Sequence, residues 1–309
     1  MQIKRQLLAI GIATALFDAH AATITVNTNS DLTFFGGTRC TLRTAVEAAD
    51  TDTALAGCAE GDGVDRIVFD PALNDSTITL QQGLIPIESS LTIDGAVGLR
   101  GGVTVSGDNA NRIFLISDHV NAIQQNVTLR NLTVQDGMDT SGGAIFTAEN
   151  LTLEQCEVSF NQANDSGALA QGINSTVTVR NSQISNNTSQ FSAGAIEVLN
   201  TLVIEDSQLL GNSAGGDGGA IVSQFETSVL SITDSIIDGN SAVLSGGGIF
   251  AAGSTTIEQS TLSNNVAGSG GGLFLFPDAS LVFTSSDLAP MPPPMVRVAA
   301  CNPRPRPSL

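Results

Sequence analysis

One template recurs seven times along this chain: apolar, any, apolar, any, any, usually Ser, any, apolar. The copies start at Val127, Leu151, Val177, Leu202, Leu230, Thr255 and Leu281. Their third positions are Leu129, Leu153, Val179, Ile204, Ile232, Ile257 and Phe283. Their eighth positions are Val134, Val158, Ile184, Leu209, Ile237, Leu262 and Leu288. Only Thr255 departs from the apolar rule. Apolar first and third positions between polar ones are the pattern of a half-buried strand. A period of about 25 residues, rich in Gly, Ser and Asn, is too short for paired helices and marks a solenoid. Such a unit cannot bury its own apolar face, so units stack in parallel around one continuous core. Parallel crossovers give the winding a right hand. The expected fold is all-β, a right-handed parallel β-helix over residues 66–288. Proline is absent from 87 to 276, so no ladder donor is lost there.

Stacking turns each template position into a column whose members lie about 4.8 Å apart. Three residues past the eighth position stand Asn161, Asn187, Asn212, Asn240 and Asn265. This column is expected to form an internal ladder at a turn, because amide side chains can bond one another and the backbone. Gly-rich steps, such as Gly194-Ala195-Ile196 and Gly219-Ala220-Ile221, suit tight bends where a Cβ would clash. Cys156 takes the slot filled by Ser182, Ser207, Ser235 and Ser260, which reads as a small interior position. The fourth position reads Arg130, Glu154, Arg180, Glu205, Thr233, Glu258 and Thr284. Its first four members alternate in sign, and an exterior ion-pair ladder is expected along them.

The two ends differ from the repeats. Residues 1–21 read as a secretory signal: Lys4 and Arg5, an apolar run from Leu7 to Phe17, then Ala19-His20-Ala21. An exported chain meets oxidising conditions, so Cys40 and Cys58 are expected to form a disulfide, worth roughly 3 kcal/mol in the loop-entropy model. Between these cysteines, Leu42, Ala45, Val46 and Ala49 fall on one helical face behind Thr41 as N-cap. A short capping helix there would cover the first coil, within an N-terminal segment spanning 22–65. After Leu288 come Pro290, Pro292, Pro293 and Pro294, then three arginines and Cys301. Residues 289–309 read as a non-repeat, disordered tail, expected to reflect a truncation or a shifted reading frame.

Cys40, Leu42, Arg43 and Ala45 match the motif of the CSLREA domain, which this stretch resembles. Thr41 stands for its usual Ser, Val46 for Ile and Thr44 for Glu. Cys58, Asp65-Arg66-Ile67-Val68-Phe69 and Leu91-Thr92-Ile93-Asp94-Gly95 also look like features of that family. From 142 onward the chain resembles polymorphic outer membrane protein repeats. Gly142-Gly143-Ala144-Ile145 matches one signature and Phe160-Asn161 matches part of another. Together these resemblances imply a pectin-lyase-like β-helix that is secreted or displayed at the bacterial outer membrane. They imply no reaction.

Charge narrows the function classes. The formal net charge is −18, Lys4 is the only lysine, and no cation stands between Arg180 and Arg297. Such a chain repels phosphate backbones, so no nucleic-acid partner is expected. No transmembrane segment is expected in the mature chain. Trp and Tyr are absent, so the aromatic girdles of an outer-membrane barrel have only Phe to draw on.

The β-helix also hosts lyases and hydrolases, so fold alone does not decide the function. A lyase base would come from Arg100, Arg112, Arg130 or Arg180, and a carboxylate pair from Asp136 and Asp139. Without further motif evidence Arg100 and Arg112 read as structural, Arg130 and Arg180 as ladder members, and the aspartates as bend residues. His119, the one histidine past the signal, has no partner at motif spacing. Asp62 and Asp65, like Asp217 among glycines, fall short of a calcium loop. No catalytic, cofactor or metal residue is therefore assigned. The expected function is a secreted or surface-displayed, adhesin-like binding scaffold without catalysis, touching glycans or a host surface. A polysaccharide lyase or hydrolase is the alternative. Removing Arg180 and Glu205 together should show a coupling of about 0.2–1 kcal/mol in denaturant melts; strict additivity would reject the register.

Overall fold

A computed structural model describes residues 21–33, 37–96, 102–120, 124–288 and 296–298. The signal segment up to His20, Arg100 and Cys301 lie outside these described residues. The chain winds as a parallel β-solenoid, with one short helix, Leu42–Asp50, near its start. Every strand pairing among the described residues is parallel; Thr23–Val26 and Asp65–Phe69 share the first sheet, and from there on strands that follow one another in sequence fall in different sheets. The first sheet has ten strands, from Thr23–Val26 through Asn150–Glu154 and Thr176–Arg180 to Ser280–Thr284. A second sheet of nine runs from Thr77–Thr79 to Asp287–Leu288. A third of nine runs from Ile85–Ile87 to Val296–Val298, and a fourth of five from Met138–Ser141 to Ser241–Ala242.

The register is the one the template requires. Leu151 pairs with Val127 and Val177, Val177 with Leu202, Leu202 with Leu230, Leu230 with Thr255, and Thr255 with Leu281. The eighth positions stack likewise, Val158 on Val134 and Ile184, then Leu209 and Ile237. Because side chains alternate with period two, a slip of one residue would expose each of these columns. The column also extends upstream of the first clear copy, through Leu91 and Ile93 to Ile67 and Ile24. Past the proline run, Val296–Val298 pairs with Leu273–Leu275.

Polar columns are buried too. Asn161, Asn187, Asn212, Asn240 and Asn265 are all fully buried. Each of the first four donates from its backbone N–H and from Nδ2 to the Oδ1 of the next, at 2.8–3.0 Å. The serine slot forms a second ladder. The backbone N–H groups of Cys156, Ser182, Ser207, Ser235 and Ser260 each donate to the hydroxyl one coil on, at 3.0–3.1 Å. Each of those serines donates back to the carbonyl two residues before it. The Gly steps permit backbone contact between coils: a Cβ on Gly219 would lie 2.0 Å from the Gly247 carbonyl oxygen.

The helix closes the first coils. Thr41 caps it by accepting from the Thr44 N–H at 3.1 Å, and the Thr44 hydroxyl bonds the Thr41 hydroxyl at 2.8 Å. Cys40 and Cys58 are joined as a disulfide. Arg43 binds both oxygens of buried Asp31, at 2.9 and 3.0 Å, and donates to the Gly83 and Leu84 carbonyls. At the other end of the helix, Asp50 accepts from the N–H groups of Glu88 and Ser89 and from the Ser89 hydroxyl. Arg43 thus clamps the cap to the solenoid. One column member is ill-suited: Thr255 is 1% exposed and its Oγ1 has no hydrogen-bond partner. Thr255→Val keeps the shape and removes an unsatisfied hydroxyl, so it should stabilise the fold by about 1 kcal/mol. Equilibrium denaturation of the two chains checks this.

Candidate functional site

The corner between the first and second sheets is made by one residue per coil in the left-handed conformation. These are Asn131, Gln155, Asn181, Asp206, Asp234, Gln259 and Ser285, with φ between 48° and 53°. Asn and Asp tolerate this region better than most side chains, and they fill four of the seven places. The corner holds a groove of about 560 Å3. Asn131, Gln155, Asn181 and Asp206 form one of its walls. The other is the outward face of the second sheet, with Thr133, Glu157, Gln183 and Gln208 in register. Cys156 and Ser182 line its bottom. Amide, hydroxyl and carboxylate groups thus repeat along four coils, each offering donors or acceptors to a ligand lying along the axis.

The head of this groove is anchored on Asp94, which is 2% exposed. Its Oδ2 accepts from Arg66 at 2.7 Å and from Arg130 at 2.6 and 2.7 Å. Its Oδ1 accepts from the Asn131 amide at 2.9 Å. Burial pushes the carboxyl pKa up, but bonds from Arg66, Asn131 and Arg130 outweigh it and hold the pKa at about 2. This corrects the expected ion-pair ladder in part. Arg180 and Glu205 pair at 2.7 Å, as expected. Arg130 has an acidic neighbour in register on both sides, Asp94 in the coil before and Glu154 in the coil after, and it pairs with Asp94. A desolvated carboxylate is costly unless paired, and it outcompetes a more exposed one for the guanidinium.

The remaining candidates are dispersed. Arg112 donates to the Ser141 and Gly142 carbonyls, pairs with Asp139 at 3.2 Å, and lies over the Phe146 ring. Burial lowers its pKa, opposed by Asp139. Asp136 sits at a left-handed bend and accepts from Ser106 and Gln135. Asp136 and Asp139 are thus tied to different partners. His119 is exposed in a bend, with its N–H on the Ser117 hydroxyl. Asp65 accepts from the N–H groups of Ala22 and Asp62, and burial raises its pKa. No group of three or more His, Cys, Asp or Glu among the described residues is arranged to hold a metal ion. Cys156 is buried, its thiol pKa pushed up to about 12 by desolvation, and its Sγ faces the Leu129 carbonyl at 3.2 Å. It is a spacer in the serine column with little thiolate at neutral pH.

Stacked parallel coils closing round a single apolar core define a parallel β-helix. Residues 101–288 match the family described as "Right handed beta helix region", and the chain belongs to that family. Comparison with curated proteins and with solved structures returns no match.

Asp94 gives the groove a pH signature. Its pKa falls from an ordinary 3.8 to about 2 on folding, so the unfolded chain binds more protons between these values. The stabilisation is complete above about pH 4 and is lost as pH falls towards 2. Asp94→Asn should lower neutral-pH stability and make the acid-side decline shallower, which melts at pH 2–7 would reveal.

Proposed function

We propose that this protein is a secreted or cell-surface binding scaffold, adhesin-like and without catalysis, that engages glycans along the corner groove. The observation that carries this reading is the in-register repetition of Gln155, Asn181 and Asp206 opposite Glu157, Gln183 and Gln208. Polyhydroxylated ligands are recognised by such arrays of planar donors and acceptors. Export suits the Cys40–Cys58 disulfide, since such bonds persist in oxidising compartments. Membership of the CSLREA and polymorphic outer membrane repeat groups is part of the same proposal. It draws on Cys40, Leu42, Arg43 and Ala45 for the first and on Gly142-Gly143-Ala144-Ile145 for the second. Arg43 has a structural task consistent with the motif, the clamp on Asp31.

One observation favours the alternative, a polysaccharide hydrolase. Glu197 lies on the outer face of the third sheet, and its pKa is raised by burial and then by Asp165. Ser166 donates to Glu197 at 3.0 Å and Ser192 to Asp165 at 3.2 Å. A carboxyl group with a raised pKa near a second carboxyl group is what a general acid in glycoside hydrolysis requires. A lyase has less to draw on, because Arg112 is occupied by Asp139 and two carbonyls.

The readings separate experimentally. On a panel of neutral and acidic oligosaccharides, the combined variant Gln155→Ala, Gln183→Ala, Gln208→Ala should lose at least tenfold in affinity, as about three hydrogen bonds are removed. Unchanged binding would reject the groove. Release of reducing or unsaturated ends, assayed with and without calcium, should be nil. Release abolished by Glu197→Gln would establish the hydrolase instead.

A further inference from the structure

A second concavity lies away from the corner groove, on the outer face of the third sheet. Its volume is about 260 Å3, below the range of drug-sized sites, and it has room for a single ring. Val222 and Ala252, both nearly fully buried, form its base. Phe250 and Phe276 wall it, their centroids 6.2 Å apart and their planes inclined by 50°. Phe250 is stacked on Phe274 of the next coil at 5.4 Å, so one face is covered and the other turns towards the coil of Val222. Phe276 is 46% exposed. Ser192, Asp217 and Gln224 complete the lining.

We infer that this aromatic cradle binds one neutral pyranose unit of a glycan. The inference shares a ligand class with the groove proposal and names a separate site. Aromatic faces carry negative quadrupole charge and attract the polarised C–H face of a sugar ring, while adding large apolar area. The Asp217 carboxylate and the Gln224 carboxamide take no side-chain hydrogen bond from any described residue, so both are open to ring hydroxyls. Charge selects against the acidic sugars. The lining holds no cation and Asp217 adds a negative group to it, so a uronate or a phosphate meets repulsion there; Arg297 falls in register with Phe274, on the covered side of the Phe250 ring. A free apolar molecule would leave Asp217 without a hydroxyl partner, at a desolvation cost.

The chain lacks Trp and Tyr, so binding is best read by saturation-transfer difference NMR on the full-length protein. The probes are methyl β-glucopyranoside, methyl β-galactopyranoside and methyl α-mannopyranoside, with methyl β-glucuronide as the charged control. At least one neutral glycoside should give ring C–H enhancements at least threefold above the glucuronide. Phe276→Ala removes an exposed side chain and should cut that signal at least fivefold with an unchanged melting profile. Phe276→Leu, which keeps apolar volume and removes the ring, should cut it as well. The groove variant Gln155→Ala, Gln183→Ala, Gln208→Ala should retain it. The inference is overturned if no neutral glycoside gives a signal, if the glucuronide matches them, if either Phe276 variant leaves the signal intact, or if the groove variant abolishes it. Loss of groove affinity with the cradle signal preserved would separate failure at one site from failure at the other.

Discussion

Each buried asparagine in this protein depends on its counterpart in the adjoining coil. Asn187 Oδ1 accepts both the backbone N–H and the amide of Asn161, while its own N–H and amide go to Asn212. Burial of an amide without partners costs more than a hydrogen bond returns, so the column is stable only when every rung is present and in register. The apolar columns favour the same stacking, but hydrophobic contact is non-directional and tolerates slippage. The asparagine and serine ladders supply direction. They hold the coils at one rotation and one height, and everything placed on the outside inherits that order.

The outer surface is therefore a printed array. An outward side chain in one coil has its counterpart directly above and below, so functional groups recur without any loop being built to hold them. The corner groove is the clearest product. Its left-handed residues bend the chain sharply, and their side chains stand beside the outward face of the second sheet. Under the proposed function, a ligand along such a groove gains affinity by repetition of weak contacts, in contrast with a pocket that encloses one. The aromatic cradle follows the same rule with different residues, where Phe250 and Phe274 fall in one column by register.

Charge is distributed unevenly between end and body. Arginines near the start are consumed internally: Arg43 on Asp31, Arg66 and Arg130 on Asp94, Arg112 on Asp139. Only Arg180, paired with Glu205, is more than half exposed among the side chains in these ion pairs. The coils beyond it carry acidic groups with no compensating cation before Arg297. Anionic partners thus meet repulsion along the body, and neutral ones do not.

The columns were legible in the sequence because period and side-chain chemistry are local properties. Leu151, Val177 and Leu202 announce a strand face, and Asn161, Asn187 and Asn212 announce a buried rung, since no other arrangement satisfies both at that spacing. The serine slot was visible as small residues, but its hydrogen-bond ladder was not, because a hydroxyl's partner lies in another coil. The Arg130 pairing was hidden because Asp94 lies upstream of the seven clear copies: strand pairing puts it in the same outward column as Arg130, one coil before, and its burial wins the guanidinium over Glu154 on the other side. The Asn and Asp bias at the corner was a usable signal for left-handed backbone, though nothing local says that this corner is concave. Sequence by itself determined the winding, the core columns and the cap helix, which follow from periodicity and burial. Tertiary structure decided which outward side chains share a groove, because that depends on the angles at which separate sheets meet.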